Sequence, residues 1–404
     1  MDDDIGLYDC PMPEPFGDKI GLTVSLAWLF YLGFVSRVIF GPLLPEIQDD
    51  LDLDHVQAGS LFLMIGVGYL LAPIFSGLLS SRLNHRGTLQ FSAWLLGLAL
   101  LFFVFVRSFA GMSVVLVIIG FTGFLHLPSA VATITAEIQK SDWGKGMAVH
   151  QCAPPLSFVS APLIAALLLQ WFSWRQVLLC WGLLSLASAL LFTMKSEGGQ
   201  FPGRRISPAN MKQVAALPSF WWITILLSLA IGGNAGMNAM LPLYFVHEKG
   251  LSLAKANTII GLSQLSGFLV VLFAGVAADR IGQKRFMWLT LGGAALLTVA
   301  LGLVEGGPLI AALLLQSAVL TAFFPVIYGA LARVVPPTLR SVISAMGPPL
   351  AYLIGAGGAP LVIGYLAKFF SFGTGISVIG GAMLVGLPLI FLLRLSDFEG
   401  ESGC

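Results

Sequence analysis

One arginine is out of place in this chain. Arg37 stands inside an apolar run, Phe34-Val35-Ser36-Arg37-Val38, slightly to one side of its centre. Burying a guanidinium in a bilayer costs at least about 2.5–3.5 kcal/mol, so it must face protein or a water-filled cavity. Arginine keeps its charge there and grips a carboxylate or phosphate through a planar fork. The 20 acidic residues offer it no partner. They fall in the two tails, in the stretch Glu46–Asp54, and at the ends of apolar runs (Glu137, Asp142, Glu197, Glu248, Asp279, Glu305). An anionic substrate is therefore the natural counter-charge. The competing reading is an arginine that snorkels outward or is held by backbone carbonyls.

Other polar residues at similar depth are candidate partners. An internal repeat with a shift of about 197 carries Arg37 onto Asn234 and Gly41 onto Asn238. Those asparagines are four apart and share a helical face, which is expected to meet the Arg37 face across a central cavity. His126 precedes Pro128 in another apolar run, and His150 lies in the next. A neutral imidazole is tolerated in a membrane more readily than an ion, and one proton makes it a switch; an imidazole can equally be a hydrogen-bonded packing residue. Gln264, Gln316, Tyr328 and Tyr352 are further lining candidates, half of which should face neighbouring helices or lipid. Cys152 and Cys180 lie within apolar runs, Cys10 and Cys404 in the tails, and no spacing suggests a disulfide or a metal. There is no nucleotide-binding glycine loop and no catalytic cluster, so neither enzymatic activity nor a cofactor is expected.

The elements that must position these residues are membrane spans. Of 404 residues, 57% are hydrophobic and 10% charged, whereas soluble domains carry about 25% charged residues. Runs of about twenty apolar residues, long enough to cross a core of about 30 Å, recur at about 20–45, 56–80, 88–107, 111–137, 145–170, 174–194, 219–245, 253–279, 285–304, 307–334, 341–369 and 373–394. The predicted organisation is a tail (1–19), a six-helix bundle (20–194), a polar linker (195–218), a second six-helix bundle (219–394) and a tail (395–404). Fifteen Lys and Arg side chains fall on the side of both tails, and five (Arg107, Arg175, Lys249, Lys255, Lys368) on the other. This bias places both termini in the cytoplasm. The acidic start Met1-Asp2-Asp3-Asp4 is unlike a cleaved leader. With no Asn-x-Ser/Thr sequon, a bacterial inner (plasma) membrane is favoured. The expected partners are a small anionic molecule, a proton and the lipid bilayer, with no nucleic acid, for a protein acting as a monomer.

The two bundles are copies. Gly77-Leu78-Leu79-Ser80-Ser81-Arg82-Leu83 recurs 198 residues later as Gly275-Val276-Ala277-Ala278-Asp279-Arg280-Ile281, Pro45 matches Pro242, and Pro128 matches Pro325. Trp171-Phe172-Ser173-Trp174 matches Phe369-Phe370-Ser371-Phe372, and Ala153-Pro154-Pro155-Leu156 matches Gly347-Pro348-Pro349-Leu350. Doubled bundles place one substrate site between halves that rock. The copied loops resemble those of the major facilitator superfamily, which read Gly-x-x-x-Asp-Arg-x-Gly-Arg-Arg. The second, Gly275 through Asp279-Arg280-Ile281-Gly282-Gln283-Lys284-Arg285, is nearly complete; the first has Ser81 for the aspartate and Asn84 for the second glycine. Ser173-Trp174-Arg175 resembles the family's Gly-Trp-Arg. The resemblance implies twelve transmembrane helices in two pseudo-symmetric six-helix bundles and transport by alternating access. It also implies a gate: Asp279, with Arg280, meeting the start of span 5 beside Lys145, while Ser81 and Arg82 form a weaker counterpart. The alternative is that these are ordinary topology-fixing charges.

Span 1 is similar to that of the superfamily's anion:cation symporters, in which an Asp-Arg pair precedes a proline and the arginine contacts the organic anion. Ser36 replaces that aspartate, and the symporters' span-4 glutamate falls at Gly123. Ala148, Ser157, Ala161, Pro162, Ala165 and Ala166 take the spacing of the glycine-rich signature of drug/proton antiporters, only the proline being identical. The leading expectation is a proton-coupled transporter of a small organic anion. The others are a proton-linked efflux pump for drugs or metabolites, and a transporter-like sensor or lipid-handling protein.

Overall fold

The computed structural model describes residues 13–203 and 207–393. Residues 1–12 of the first predicted tail, 204–206 of the linker, Arg394 at the end of the second bundle and the whole second tail (395–404) lie outside the described residues. Twelve helical spans follow one another: α1 (Ile20–Asp50), α2 (55–83), α3 (85–105), α4 (Phe109–Glu137), α5 (Lys140–Leu168), α6 (Trp174–Lys195), α7 (Pro218–Glu248), α8 (Leu253–Ile281), α9 (Gln283–Leu301), α10 (Gly306–Arg333), α11 (Arg340–Phe369) and α12 (Phe372–Leu392). The helical run of residues 55–105 counts as two spans because Asn84 (φ 59°) reverses the chain. Asn84 is the residue that replaced the loop's glycine, and its backbone (φ 59°, ψ 178°) keeps a conformation that glycine adopts far more readily than any residue with a side chain. Its amide oxygen accepts from Gly87 N–H, which starts α3. The other bend, in α8, falls between Val271 and Phe273. The sole β-pairing among the described residues is the isolated bridge Glu14–Ile138.

Local chemistry sets the boundaries. Asp54 caps α2 with a full capping box to Gln57, and Ser108, Ser252 and Ser371 cap α4, α8 and α12. Several spans are irregular near their middles. α1 turns at Ile39, before Pro42 and Pro45, α7 and α11 widen into π-turns at Gly232–Gly236 and Leu353–Gly357, and α7 has a second π-turn at its end, Tyr244–Glu248. Such turns free carbonyls, which in a membrane must be satisfied from within the protein. Gln316 Nε2 donates to Gly233 O (2.9 Å), and Asn257 Nδ2 donates to Pro42 O (3.1 Å) across the halves. Gln316, expected as a lining candidate, is thus a backbone anchor.

The halves touch at one end. A Cβ on Gly41 would lie 3.0 Å from Ala239 Cα, on Gly66 2.9 Å from Leu353 Cα, and on Gly261 2.7 Å from Leu163 Cγ. Lys368 Nζ sits 2.9 Å from Asp54 Oδ2 at the same end, and the rings of His55 and His247 are 5.8 Å apart. The Lys368 hydrogen bond and the Gln57 N–H hold the Asp54 carboxyl below its usual range. At the opposite, basic end, Arg82, Asp279 and Arg280 are exposed, and Lys145 pairs with Asp142 of its own segment. This conformer is therefore closed at the Asp54 end and parted at the basic end.

The linker does not hang free at that basic end. Residues 196–203 lie against the first half: Arg86 N–H donates to Gly199 O (2.8 Å), and Gly203 N–H donates to Ser80 O (3.0 Å). Buried Glu137 accepts from Gly199 N–H (3.0 Å) and pairs with Lys19 (3.4 Å). A short helix, Pro208–Ala215, then leads to α7.

Candidate functional site

A small cavity of about 30 Å³ lies between the halves, with walls from α1, α2 and α5 of one and α7, α8 and α11 of the other. Arg37 forms its charged wall, and Asn238, Tyr352, Phe62, Phe158 and Ile260 are among its other residues. Room for one or two waters is all it holds.

Arg37 is 2% exposed. Its Nε donates to Gly33 O (3.3 Å), one turn back in its own helix, while Nη1 and Nη2 are buried with no hydrogen-bond partner among the described residues. The guanidinium carbon lies 4.2 Å from the Phe34 ring centroid, 5.0 Å from Tyr69 and 5.8 Å from Tyr352. Tyr69 and Tyr352 stack on each other at 4.6 Å, across the halves. Such cation–π contact recovers about 0.5–2 kcal/mol, short of what two stranded charged donors cost at about 1–3 kcal/mol or more each. Of the described Asp, Glu, Lys and Arg side chains, Arg37 and Glu137 are the two that are buried, and Glu137 belongs to the linker clasp.

Two positions noted in the sequence have a spatial reason here. A Cβ on Gly123 would stand 2.9 Å from Arg37 Nε and 3.0 Å from Cζ, so the guanidinium occupies the space a side chain would need. Ser36 is turned away: its hydroxyl donates to Leu32 O (2.7 Å) and accepts from Trp181 Nε1 (3.1 Å), joining α1 to α6.

The remaining candidates divide. Asn238 and Tyr352 share the Arg37 cavity. Asn238 is already engaged, its Nδ2 donating to Asn234 O (2.9 Å) and its Oδ1 accepting from Gln264 (3.0 Å). Gln264 in turn accepts from Ser317 (3.1 Å), which makes it a support behind Asn238. Asn234 lies in the α7 π-turn and is not part of the wall. Tyr328 is 45% exposed and is not part of the wall.

The histidines do not line this cavity. His126 and His150 are 5% and 0% exposed, inside the first half. Their Nε2 atoms are 3.4 Å apart, and both rings stack against Phe30, at 5.5 and 4.6 Å. Aromatic packing between α1, α4 and α5 draws them behind Phe30. Among the described residues, Asp279 and Lys145 do not pair. Lys145 pairs with Asp142 (2.8 Å) three residues away, Asp279 and Arg280 are exposed, Arg82 is exposed, and the Ser81 hydroxyl donates to Leu78 O (2.9 Å). The expected approach of Asp279 to α5 is absent because the basic ends are apart.

Tyr69, Phe34 and Phe158 were missed by sequence reasoning. Phe34 carried a signal, standing three residues before Arg37 on the same helical face. Tyr69 and Phe158 carried none, since aromatic residues in apolar spans are commonplace.

Comparison with known proteins agrees with this architecture. A solved bacterial homologue of the human lysosomal transporter Spinster, in an inward-facing and unoccupied conformation, superposes with a TM-score of 0.76 at 13% identity, over 93% of this chain and 95% of that one. The membrane sensor protein UhpC of Escherichia coli K12 is 25% identical over 301 residues, 67% of this chain and 68% of its own length. The probable galactarate/D-glucarate transporter GarP of the same organism is 25% identical over 401 residues, 88% of this chain and 89% of its own. The family model of the Major Facilitator Superfamily matches residues 26–308. With twelve spans, a doubled bundle and that match, the chain belongs to the major facilitator superfamily, whose members are membrane transporters and not enzymes.

Proposed function

We infer that this protein is a secondary transporter that carries a small organic anion by alternating access, with Arg37 as its charge anchor. One observation carries the reading: a buried guanidinium on the wall of a cavity between the halves has two Nη groups without a partner, and no Asp or Glu of the described residues stands on that wall. A bound carboxylate satisfies both donors at once. Tyr352 borders the same space and Gln264 holds Asn238 in place; Asn234 and Tyr328 are further proposed contacts of the substrate. The relative GarP, named for two dicarboxylates, favours an anion.

The basic end is assigned to the cytoplasm by its positive charge, with both termini there. The present conformer is then inward-open. In the opposite state the parted loops meet, and Asp279, Arg280 and Lys145 on one side and Ser81 and Arg82 on the other form the latch.

The proton is the proposed coupling ion. The Nε2–Nε2 hydrogen bond between His126 and His150 holds one proton between two rings. Once both rings are protonated, N–H faces N–H, the bond is lost and α4 loosens from α5. His126 is one turn from Gly123, which abuts Arg37, so that change is felt at the anchor.

The test is binding and then flux. Purified protein should gain thermal stability with some members of a panel of carboxylates, sulfonates and phosphates, by about 2.7 kcal/mol at a hundredfold excess over Kd. Arg37→Gln should lose the gain while staying folded, and wild-type affinity in that variant refutes the anchor. In proteoliposomes, uptake should rise as external pH falls, and His126→Gln should flatten the rise. A profile unchanged in His126→Gln, His150→Gln and the double variant refutes histidine coupling. The name of UhpC favours a second reading, a sensor. Tight Arg37-dependent binding with no flux or exchange would establish that reading instead.

A further inference from the structure

We propose that the Arg37 cavity selects a monocarboxylate with an apolar or aromatic body, not a polyhydroxylated diacid. The inference rests on the anion reading above and narrows it. Arg37 is the one cation on the cavity wall among the described residues, so the site balances a single negative charge. Phe34 and Tyr69 flank the guanidinium, with its carbon 4.2 and 5.0 Å from their ring centroids. Nη1 and Nη2 are buried without a hydrogen-bond partner among the described residues, so a carboxylate admitted to this space pairs with the two of them in the plane of the fork.

The rest of the space is mostly hydrocarbon. Phe62, Ile65, Phe158 and Ile260 line that space, and two side chains besides Arg37, Asn238 and Tyr352, offer hydrogen bonds there. Asn238 has one Nδ2 hydrogen and its Oδ1 committed to Asn234 O and to Gln264, so it has little left for a ligand. A hexaric acid brings four hydroxyls and a second carboxylate. Each hydroxyl stripped of water without a new partner lowers affinity by about tenfold or more. The second carboxylate would be buried with no cation at all. A phenyl or branched alkyl body meets the same walls with no such loss, and its burial is favourable. The chemistry of the walls therefore discriminates, whatever the volume becomes when the spans part to admit a ligand.

Binding to the full-length purified protein, measured by calorimetry at pH 7, tests this directly. The probes are benzoate, phenylacetate and 4-methylvalerate as monoacids, D-glucarate as the diacid, and benzyl alcohol as a neutral body. At least one monoacid should bind at least tenfold more tightly than D-glucarate, and benzyl alcohol should not bind. Arg37→Gln should weaken that monoacid about a hundredfold or more, and Phe158→Ala about tenfold, with no matching loss for D-glucarate in Phe158→Ala. If Arg37→Gln does not fold, Arg37→Lys and competition among the acids on wild-type protein supply the ranking. D-glucarate binding as tightly as the monoacids, through Arg37, overturns the substrate class and leaves the anchor intact. Binding of no carboxylate, or binding indifferent to Arg37, overturns both.

Discussion

Replacing Gly59 by alanine should push the protein out of the conformer described here. Gly59 sits in the first turns of α2, against α11 at the closed end. A Cβ there would run into the Pro360 carbonyl oxygen, at 2.8 Å from its carbonyl carbon and 3.1 Å from Leu361 Cα. All three are backbone atoms of a helix, so no flexible side chain can swing aside. Overpacking of this kind costs about 1–3 kcal/mol. It is felt only while α2 and α11 are in contact, because rocking the halves apart at this end removes the clash. Alanine also stabilises a helix by about 0.5–1 kcal/mol over glycine, but it does so in both conformers and cancels from their equilibrium. The net shift of about 1–3 kcal/mol changes the ratio of conformers by about 5- to 150-fold. Spin labels on the α2–α3 and α8–α9 loops report the basic end, and labels on the α1–α2 and α11–α12 loops report the other. Gly59→Ala should shorten the first distance and lengthen the second. Gly275→Ala, where a Cβ meets nothing within 4 Å, should change neither. A folded Gly59→Ala protein with wild-type distributions at both ends would refute the claim that backbone contact between α2 and α11 holds this conformer.

Three further outcomes follow from the same geometry. The Asp54–Lys368 pair joins the halves with both side chains more than 40% exposed, so its worth is about 0–1 kcal/mol. Because the Asp54 pKa is depressed, that contribution is present above the ordinary carboxylate value and lost as pH falls through the lowered one. The closed-end distance should be flat from about pH 8 to 5 and grow only below about 4, while Asp54→Asn, which keeps the helix cap, should show a small opening at every pH. Asp279→Asn should favour the basic-end-parted conformer and Ser81→Asp the other, and unchanged distances in both would reduce these residues to topology signals. Ligand-free Arg37→Gln should unfold at the same temperature as wild type or higher, since stranded donors leave along with the cation–π contacts; a large loss of stability would mean the arginine is structural.

Some features were legible in the order of residues because they are one-dimensional. Apolar runs long enough to cross a bilayer mark spans wherever they fold. The repeat of Gly77–Leu83 at Gly275–Ile281 marks the halves, and Asn84 only disguised the first loop while keeping its reversal. Arg37 stood out because a charge in hydrocarbon is costly in any fold. Its neighbours were harder. The shift that nominated Asn238 placed it on the cavity, yet Asn234, equally nominated, fell in a π-turn. The turn inserts an extra residue into the helix, so a face drawn at regular spacing no longer holds across it.

The sequence alone determined the class of the protein, the number of its spans, the doubling of its bundle and the isolation of one buried positive charge, because each follows from composition, length or repetition along the chain. The tertiary structure decided what that charge meets. Packing against Gly123 set the guanidinium's place, Tyr69 from one half and Tyr352 from the other came to flank it, and Phe30 drew both histidines away from the cavity. It also decided which end of the molecule is shut. Those outcomes depend on contacts between residues tens to hundreds of positions apart, formed by helices whose turns and kinks shift every face, and no local pattern in the sequence encodes them.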